Sequence, residues 1–171
     1  MKKMTSYEIR DMWLKYFSLN GHMIVPSASL IPKDDDTLLW INAGVTPLKR
    51  YFDGSEVPVS KRITNIQKCI RTNDIENVGV TRRHHTFFEM MGNFSIGDYF
   101  KEEAITFAYN LLTGKDWFDI PVEKLYVTGF PDDINTINKW MELGMLEDHI
   151  VKLSDNFWEI GPGPCGPDRK S

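Results

Sequence analysis

The clearest pattern along the chain is a pair of alternating apolar and polar runs between Thr64 and Phe100. The first run, TNIQKCIR, ends at Arg71, and the second, HHTFFEMMGNF, begins at His84. Alternation with a period of two is typical of β-strands, and the Asn-, Asp- and Gly-rich link between the runs is typical of a turn. We therefore predict a β-hairpin, and we interpret its charged connection as a platform for a polyanionic ligand.

Helical and strand patterns precede this hairpin. Thr5 and Glu8 have the spacing of a capping box, and apolar residues then recur on one helical face until a glycine stop. The runs 22–32 and 34–44 are short and apolar and are separated by a proline and an acidic turn, which predicts two bent strands. Pro47 then favours a short helix, because proline is tolerated in a first helical turn.

The chain after the hairpin continues to alternate between helix and strand. Asp98 is predicted to cap a helix through KEEAITFAYNLLTG, which ends at Gly114. A strand in KLYVTGF, a helix opened by Pro131, and strands in HIVKL and DNFWEI follow. The ending GPGPCGPDRKS has three prolines and three glycines in its first seven residues, which predicts a stiff loop, without helix or strand, that walls a pocket.

Together these elements predict one α+β domain over residues 1–171, with a mostly antiparallel β-sheet flanked by helices. The net charge of −4 argues against general adhesion to nucleic acid or membranes, so an anionic ligand has to be met by a local basic cluster. Cys69 and Cys165 are too few and too far apart for a CxxC site or a disulfide framework, which indicates a reducing compartment. No apolar run approaches the roughly 20 residues that cross a bilayer, and we expect a cytoplasmic protein.

Strand parity assigns candidate site residues to one face of the hairpin. In the first strand, Arg71 falls on the wetter side, and in the second strand one side is nearly all apolar. If the sheet has a single polar face, Arg71, His85 and Glu89 project from it with the ring of Phe87 beside them. The same counting places His84 on the other side or in the loop.

The charged side chains of the hairpin admit three interpretations. A guanidinium at Arg71 beside imidazole and basic groups suits phosphate oxygens, which accept paired hydrogen bonds. Surface ion pairs with the neighbouring carboxylates are the alternative. A zinc site at His84 and His85 is disfavoured, because neighbouring strand residues point to opposite faces and no third ligand follows at helical spacing. Trp158, outside the hairpin, is either a core residue or a flat ring over a ligand.

Four longer stretches carry a family resemblance. They are EIRDMWLKYFSLNGHMIVPSASLIP, LLWINAGVTPLKRYF, QKCIRTNDIENVG with RHHTFFEMMGNFSIGDYFKEEAI, and SDNFWEIGPGPCGP. In that order they resemble the first signature motif, its continuation, the second signature motif and the following segment of the alanyl-tRNA synthetases, class II enzymes that charge tRNA with alanine. The resemblance covers nearly the whole chain and implies part of a class II synthetase catalytic domain.

The resemblance also implies roles for individual residues. Arg71 matches the arginine that holds the ATP α-phosphate and the carboxylate side of the amino acid, and His85 matches a histidine that contacts ATP phosphates. The backbone near Met90 is expected to meet the adenine edge. Phe87 or Phe88 is the candidate ring that stacks on adenine, and strand parity favours Phe87.

The implied reaction joins alanine to ATP, as its Mg²⁺ complex, to give alanyl-adenylate and pyrophosphate, and then transfers alanine to the 3′ end of tRNA. Trp158 matches a tryptophan that takes part in binding ATP and lines the substrate pocket. The zinc ligands of the family's editing domain have no match among the four histidines, so we expect no zinc in these residues.

Members of the family continue past the CGP turn into residues that hold the alanine ammonium, a third motif, tRNA-binding helices and an editing domain. We therefore expect this chain to be the N-terminal part of such an enzyme and to have little or no activity alone. Two interpretations of other classes stay open. One is a non-catalytic ATP- or RNA-binding module derived from the same half-domain, and the other is a structural fragment whose hairpin charges only form ion pairs. The oligomeric state is open.

Overall fold

The computed structural model describes residues 3–33, 38–159, 165–167 and 169–170. The chain divides into two compact units, the first formed by residues 4–98 and the second by residues 1–3 and 99–171. Each unit contains both helices and strands, which confirms the predicted α+β class. This division does not test the prediction that residues 1–171 form one domain, which stays a prediction.

The first unit is a three-stranded sheet with a long helix on one face. The sheet has the order β1-β2-β3, with β1 parallel and β3 antiparallel to the central strand. Its elements are α1 (Ser6–Leu19), β1 (Met23–Ile24), α2 (Lys49–Phe52), β2 (Arg62–Ile70) and β3 (Phe87–Ser95). A 3₁₀ turn at Thr46–Leu48 leads into α2 and confirms the short helix that the proline predicted.

Helix α1 begins and ends where the sequence predicts. The Thr5 hydroxyl accepts a hydrogen bond from the Glu8 amide at 3.3 Å, and the Glu8 carboxylate accepts one from the Thr5 amide at 2.7 Å. Two amides that lack partners inside the helix are thereby satisfied. After the helix, Gly21 takes a φ of 81°, a backbone conformation that suits a residue without Cβ.

The predicted hairpin is confirmed as the β2–β3 pair. Its register runs from Arg62 opposite Ser95 to Ile70 opposite Phe87. One face of the pair is held by Gln67, whose side chain accepts from the Ala28 amide at 2.8 Å and donates to the Ala28 carbonyl at 3.2 Å. The chain before β2 therefore covers this face, while α1 packs on the other.

The two bent strands predicted before α2 are mostly absent. Only Met23–Ile24 of the first forms a strand, and the described residues 38–44 of the second form none. Pro26 interrupts the first strand, because proline has no amide to donate to a ladder. From Ala28 onward the backbone bonds partly to side chains such as that of Gln67, and the backbone bonds of Ile41 are isolated ones that form no ladder. Residues 34–37 lie outside the described part of the chain.

The second unit has two helices and several short strands. Its elements are α3 (Lys101–Thr113), β4 (Val127–Gly129), α4 (Ile134–Glu142), β5 (Ile150–Lys152), β6 (Phe157–Glu159), β7 (Cys165–Pro167) and β8 (Arg169–Lys170). Strand β4 lies between a parallel β5 and an antiparallel β8, and β6 pairs antiparallel with β7. The core is apolar and contains Ile105, Val127, Trp140 and Met145. Within the described ranges, no helix is both long and apolar enough to cross a membrane.

Two local predictions for the second half of the chain are wrong. Asp98 does not cap α3, whose N-cap is Phe100 without a side-chain bond, because the Asp98 carboxylate accepts two hydrogen bonds from Arg62 at 2.9 and 3.1 Å. The Pro- and Gly-rich ending is not free of strands, since Cys165–Pro167 pairs with β6 and Arg169–Lys170 pairs with β4. Pro167 lies in β7, an edge strand of a two-stranded sheet, where a missing donor is tolerated. Residues 160–164 lie outside the described part, so the predicted pocket wall stays a prediction.

Candidate functional site

A cleft of about 490 Å³ opens where β2 ends and β3 begins. It is formed by residues of the hairpin connection, by Arg71 just after β2 and by Phe88 of β3. The residues that line this cleft, here called the Arg71 cleft, are Arg71, Asn73, Asp74, Arg83, His84, His85 and Phe88. The structure thus brings two of the predicted site residues, Arg71 and His85, into one cavity.

Three contacts hold Arg71 in place: a backbone hydrogen bond, a hydrogen bond from its Nε, and a contact between its guanidinium and an aromatic ring. Its amide donates to the Thr86 carbonyl at 2.9 Å, and its Nε donates to the Asn42 carbonyl at 2.9 Å. The guanidinium carbon lies 5.1 Å from the centre of the Phe88 ring, within the range of a cation–π contact. No carboxylate among the described residues forms an ion pair with Arg71. Asp74 also lines the cleft, but its carboxylate lies beyond ion-pair distance of the Arg71 guanidinium.

The register of the hairpin overturns the predicted face assignment. Cys69 lies opposite Phe88, and residues directly opposite in an antiparallel pair share a face. Arg71 therefore shares its face with Phe88, whereas Phe87 and Glu89 lie on the other face. The prediction was wrong because it assumed that the sheet has one polar face and counted each strand separately.

On the opposite face of the hairpin, Glu89 forms an ion pair with helix α1. Glu89 accepts a hydrogen bond from Arg10 of α1, with 2.6 Å between Nε and Oε2. Its neighbour Phe87 is 51% exposed and does not line the Arg71 cleft. Glu89 therefore joins the helix to the sheet, and the ring placed in the cleft is that of Phe88.

The two histidines lie in the loop before β3, so strand parity does not apply to them. His84 is held by Thr81, with 2.6 Å between its Nδ1 and the Thr81 hydroxyl oxygen, and its amide donates to the same oxygen at 3.3 Å. Both His84 and His85 line the cleft. Among the described residues, no three His, Cys, Asp or Glu side chains gather into a group that could hold a metal ion.

Met90 and Trp158 complete the predicted site residues. Met90 lies on the face of Arg71, opposite Gln67, and its sulfur accepts from the Gly44 amide at 3.1 Å. It does not line the Arg71 cleft. Trp158 belongs to β6 in the second unit, and its side chain lies outside the described part of the chain. The roles implied for both residues stay predictions.

Two contacts of Arg71 were not predicted from the sequence. Phe88 was a candidate ring for adenine behind Phe87, and register alone would have placed it near Arg71, since pairing Arg71 with Thr86 puts Phe88 on the arginine's face. The bond to the Asn42 carbonyl could not be predicted in this way. Every residue has a backbone carbonyl, so the sequence does not show which one accepts a bond from a distant side chain.

A second cleft lies in the same unit and is lined by different segments. It measures about 450 Å³ and is formed by residues from 28–33, 41 and 46–53, including Arg50. We call it the Arg50 cleft. It shares no lining residue with the Arg71 cleft.

Comparison with known proteins covers both units. The sequence profile of the family described as tRNA synthetases class II (A) matches residues 8–170. The alanine–tRNA ligase of Acholeplasma laidlawii is 67% identical over 165 residues, which is 96% of this chain and 19% of that protein. Those of Lactobacillus acidophilus and Streptococcus gordonii are 63% and 61% identical over 168 residues, 98% of this chain and 19% of each protein.

The chain therefore spans 19% of the length of these relatives. The match to the family profile begins in α1, runs through the hairpin that holds Arg71, and ends in β8. Because one profile accounts for nearly all of the sequence, the chain belongs to the class II tRNA synthetases (A).

Proposed function

We propose that this chain supplies the ATP-binding part of an alanine–tRNA ligase, which activates alanine with ATP and then transfers it to tRNA. The observation that carries the proposal is the placement of Arg71 in a cleft, on the Phe88 ring and without an ion-pair partner among the described residues. A guanidinium held in this way suits phosphate oxygens. The choice of alanine and tRNA as the other substrates rests on the names of the relatives, which are alanine–tRNA ligases.

The proposed chemistry begins with attack of an alanine carboxylate oxygen on the α-phosphorus of ATP. A new P–O bond forms, the bond from the α-phosphorus to the bridging oxygen breaks, and pyrophosphate leaves with its electron pair. Negative charge grows on the α-phosphoryl oxygens, where the Arg71 guanidinium can donate hydrogen bonds. In the second step a ribose hydroxyl of the tRNA attacks the alanyl carbonyl and its proton passes to the leaving phosphate. The bond from the carbonyl carbon to the phosphate oxygen breaks, and AMP leaves with the electron pair. Mg²⁺ enters as part of the ATP complex.

Other lining residues have roles that follow from their chemistry. We assign the adenine ring to Phe88 rather than to Phe87, because Phe88 faces the cleft. Base stacking on an aromatic side chain needs only a flat apolar face. His85 is assigned to the outer phosphates together with Arg83, which lines the same cleft. The assignments of Met90 to the adenine edge and of Trp158 to ATP and the alanine pocket rest on the family resemblance, as does action in the cytosol.

The test uses a hybrid in which this chain replaces the matching residues of the Acholeplasma laidlawii relative. We expect pyrophosphate exchange into ATP that depends on alanine and falls about a hundred-fold or more with Arg71→Ala, the effect of deleting a donor to a transition-state oxyanion. Arg50→Ala, a surface arginine at the other cleft, serves as the matched control. Exchange driven equally by glycine or serine would contradict the substrate. Exchange that survives Arg71→Ala would remove the role of the Arg71 cleft.

A non-catalytic ATP-binding module is the second candidate, and the cleft alone supports it as well. It predicts saturable ATP binding by the unextended chain, lost with Arg71→Ala, together with a folded hybrid that shows no exchange. Activity in the hybrid would exclude it.

A further inference from the structure

The turn that precedes α2 is fixed by its own side chains. The Thr46 hydroxyl donates to the Asn42 side-chain oxygen at 3.1 Å, and the Thr46 amide donates to the Ala43 carbonyl at 3.2 Å. A side-chain bond across five residues and a backbone bond across four close the same loop. The orientation of the peptide that follows Asn42 is thereby restricted.

This turn is also joined to the end of β2. The Ile70 amide donates to the Ile41 carbonyl at 2.9 Å, and the Nε of the next residue, Arg71, donates to the carbonyl of the next residue, Asn42, at 2.9 Å. Two successive carbonyls of the turn therefore meet two successive residues at the end of the strand. The Asn42 carbonyl is therefore one of the groups that hold the Arg71 side chain.

The hydrogen bond to the Asn42 carbonyl uses the Nε–H donor of the Arg71 guanidinium. The side chain of Arg71 is restricted in rotation by two contacts. Its Nε bonds to the Asn42 carbonyl, and its guanidinium carbon lies 5.1 Å from the centre of the Phe88 ring. No residue of the described ranges bonds to the paired Nη groups, which can therefore donate to an acceptor in the cleft. Two parallel hydrogen bonds to phosphate oxygens need this fixed fork, since the geometry of a guanidinium is rigid.

We propose that Thr46 and Asn42 are positioning residues for Arg71. The Thr46 hydroxyl fixes the turn, the Asn42 carbonyl fixes Nε, and the Nη groups are thereby directed into the Arg71 cleft. The anion that they meet is the ATP phosphate, and in this respect the inference rests on the proposed function. Thr46 lines the Arg50 cleft and not the Arg71 cleft, so we expect it to act on the nucleotide only through Arg71.

The first experiment observes Arg71 directly and needs no ligand. In the ¹⁵N-labelled chain, the Nε–H proton of Arg71, assigned by its loss in Arg71→Lys, is expected to exchange slowly with water because it is hydrogen-bonded. Thr46→Val keeps the shape of the side chain and removes the donor, so we expect the proton to exchange about five-fold faster, the effect of losing one neutral hydrogen bond. Thr46→Ser restores the hydroxyl and is expected to restore the protection. Equal protection in Thr46→Val and the wild type would overturn the inference.

The second experiment measures the dissociation constant of Mg²⁺-ATP in a double-mutant cycle. Thr46→Val is expected to weaken binding about five-fold when position 71 is arginine and to have no effect in the Arg71→Lys background, because lysine has no Nε group for Asn42. A merely structural role would give the same loss in both backgrounds and would overturn the inference. If Arg71→Ala leaves ATP binding unchanged, the proposed function fails instead, whatever the exchange of the Nε proton shows.

Discussion

The guanidinium carbon of Arg71 lies 5.1 Å from the centre of the Phe88 ring, and both side chains line the same cleft. Neighbouring residues of β3 lie on the opposite face, where Glu89 bonds to helix α1. The two faces of the hairpin thus have different roles. One face holds the candidate ligand site, and the other joins the sheet to a helix.

This division makes the two adjacent phenylalanines a matched pair. Phe88→Leu removes the ring from the Arg71 cleft and is expected to weaken Mg²⁺-ATP binding about ten-fold, since stacking of a base on an aromatic side chain contributes about 1–3 kcal/mol. Phe87→Leu makes the same chemical change on the other face and is expected to leave ATP affinity unchanged. Isothermal titration of both variants is the measurement. A larger loss with Phe87→Leu would restore the assignment that strand parity first favoured.

The opposite face predicts a change in stability without a change in binding. Glu89→Gln weakens the bond to Arg10 and is expected to lower the free energy of unfolding by about 1 kcal/mol, because the ion pair is partly buried. Glu142→Gln removes one charge from the Lys139–Glu142 pair, in which the glutamate side chain is 69% exposed, and is expected to cost less than about 0.5 kcal/mol. Urea unfolding measures both. Weaker ATP binding by Glu89→Gln would contradict the separation of the faces.

Buried His22 predicts a loss of stability in mild acid. Burial lowers the pKa of His22, the positive charge of Arg62 adds to this, and the bond to the Phe17 carbonyl and the charge of Asp98 oppose it. In the unfolded chain the group titrates near its ordinary value of about 6.5. The unfolded state therefore binds the proton more readily, so the contribution of His22 is fully present above about pH 6.5 and declines as the pH falls toward the lowered pKa.

The measurement is the free energy of unfolding at a series of pH values between about 5 and 7. We expect the decline in acid to be smaller in His22→Gln than in the wild type. Asp98, whose charge acts on His22, does not titrate between about pH 5 and 7, since the hydrogen bond from Arg62 holds the pKa of Asp98 below its usual range. A decline of equal slope in both proteins would refute the assignment.

Asp133 predicts a large stability effect in the second unit. It is 8% exposed, caps α4 through the Thr136 amide at 3.3 Å and hydroxyl at 2.6 Å, and accepts from Lys101 at 2.6 Å. Although burial would raise the pKa of Asp133, the bonds from Lys101 and Thr136 hold it below its usual value. Asp133→Ala removes a cap and an ion-pair partner together, and is expected to cost about 2–3 kcal/mol.

The adjacent Asp132 supplies the control for this prediction. It is exposed, so Asp132→Ala is expected to change the free energy of unfolding by less than about 0.5 kcal/mol. Thermal unfolding followed by circular dichroism compares the two variants. Similar midpoints for both would show that the buried carboxylate does not stabilise α4.

Local signals predicted the elements that depend on neighbouring residues. The spacing of Thr5 and Glu8 was enough to begin α1, and the period-two runs on either side of a polar turn were enough for the hairpin. Both depend on contacts within a few residues or on a repeat that one strand displays by itself. The resemblance of the whole chain also placed Arg71 and His85 in one site, and the structure brings them to one cleft.

Contacts between distant segments could not be predicted in this way. The face shared by Arg71 and Phe88 depends on the register of β2 against β3, which neither strand shows alone. The Asn42 carbonyl reaches Arg71 from 29 residues away, and any residue type offers such a carbonyl. The strand at Cys165–Pro167 exists because β6 provides backbone partners, although the local sequence favours turns.

Binding of ATP in the Arg71 cleft can be mapped on the unextended chain by nuclear magnetic resonance, which detects even weak binding. On titration with Mg²⁺-ATP, we predict amide shift changes that centre on Arg71, His85 and Phe88 and saturate with a single dissociation constant. Ser29 and Arg50, at the Arg50 cleft, serve as internal controls and are predicted to stay unchanged. Shift changes confined to the Arg50 cleft, or none at the Arg71 cleft at saturating nucleotide, would contradict the account.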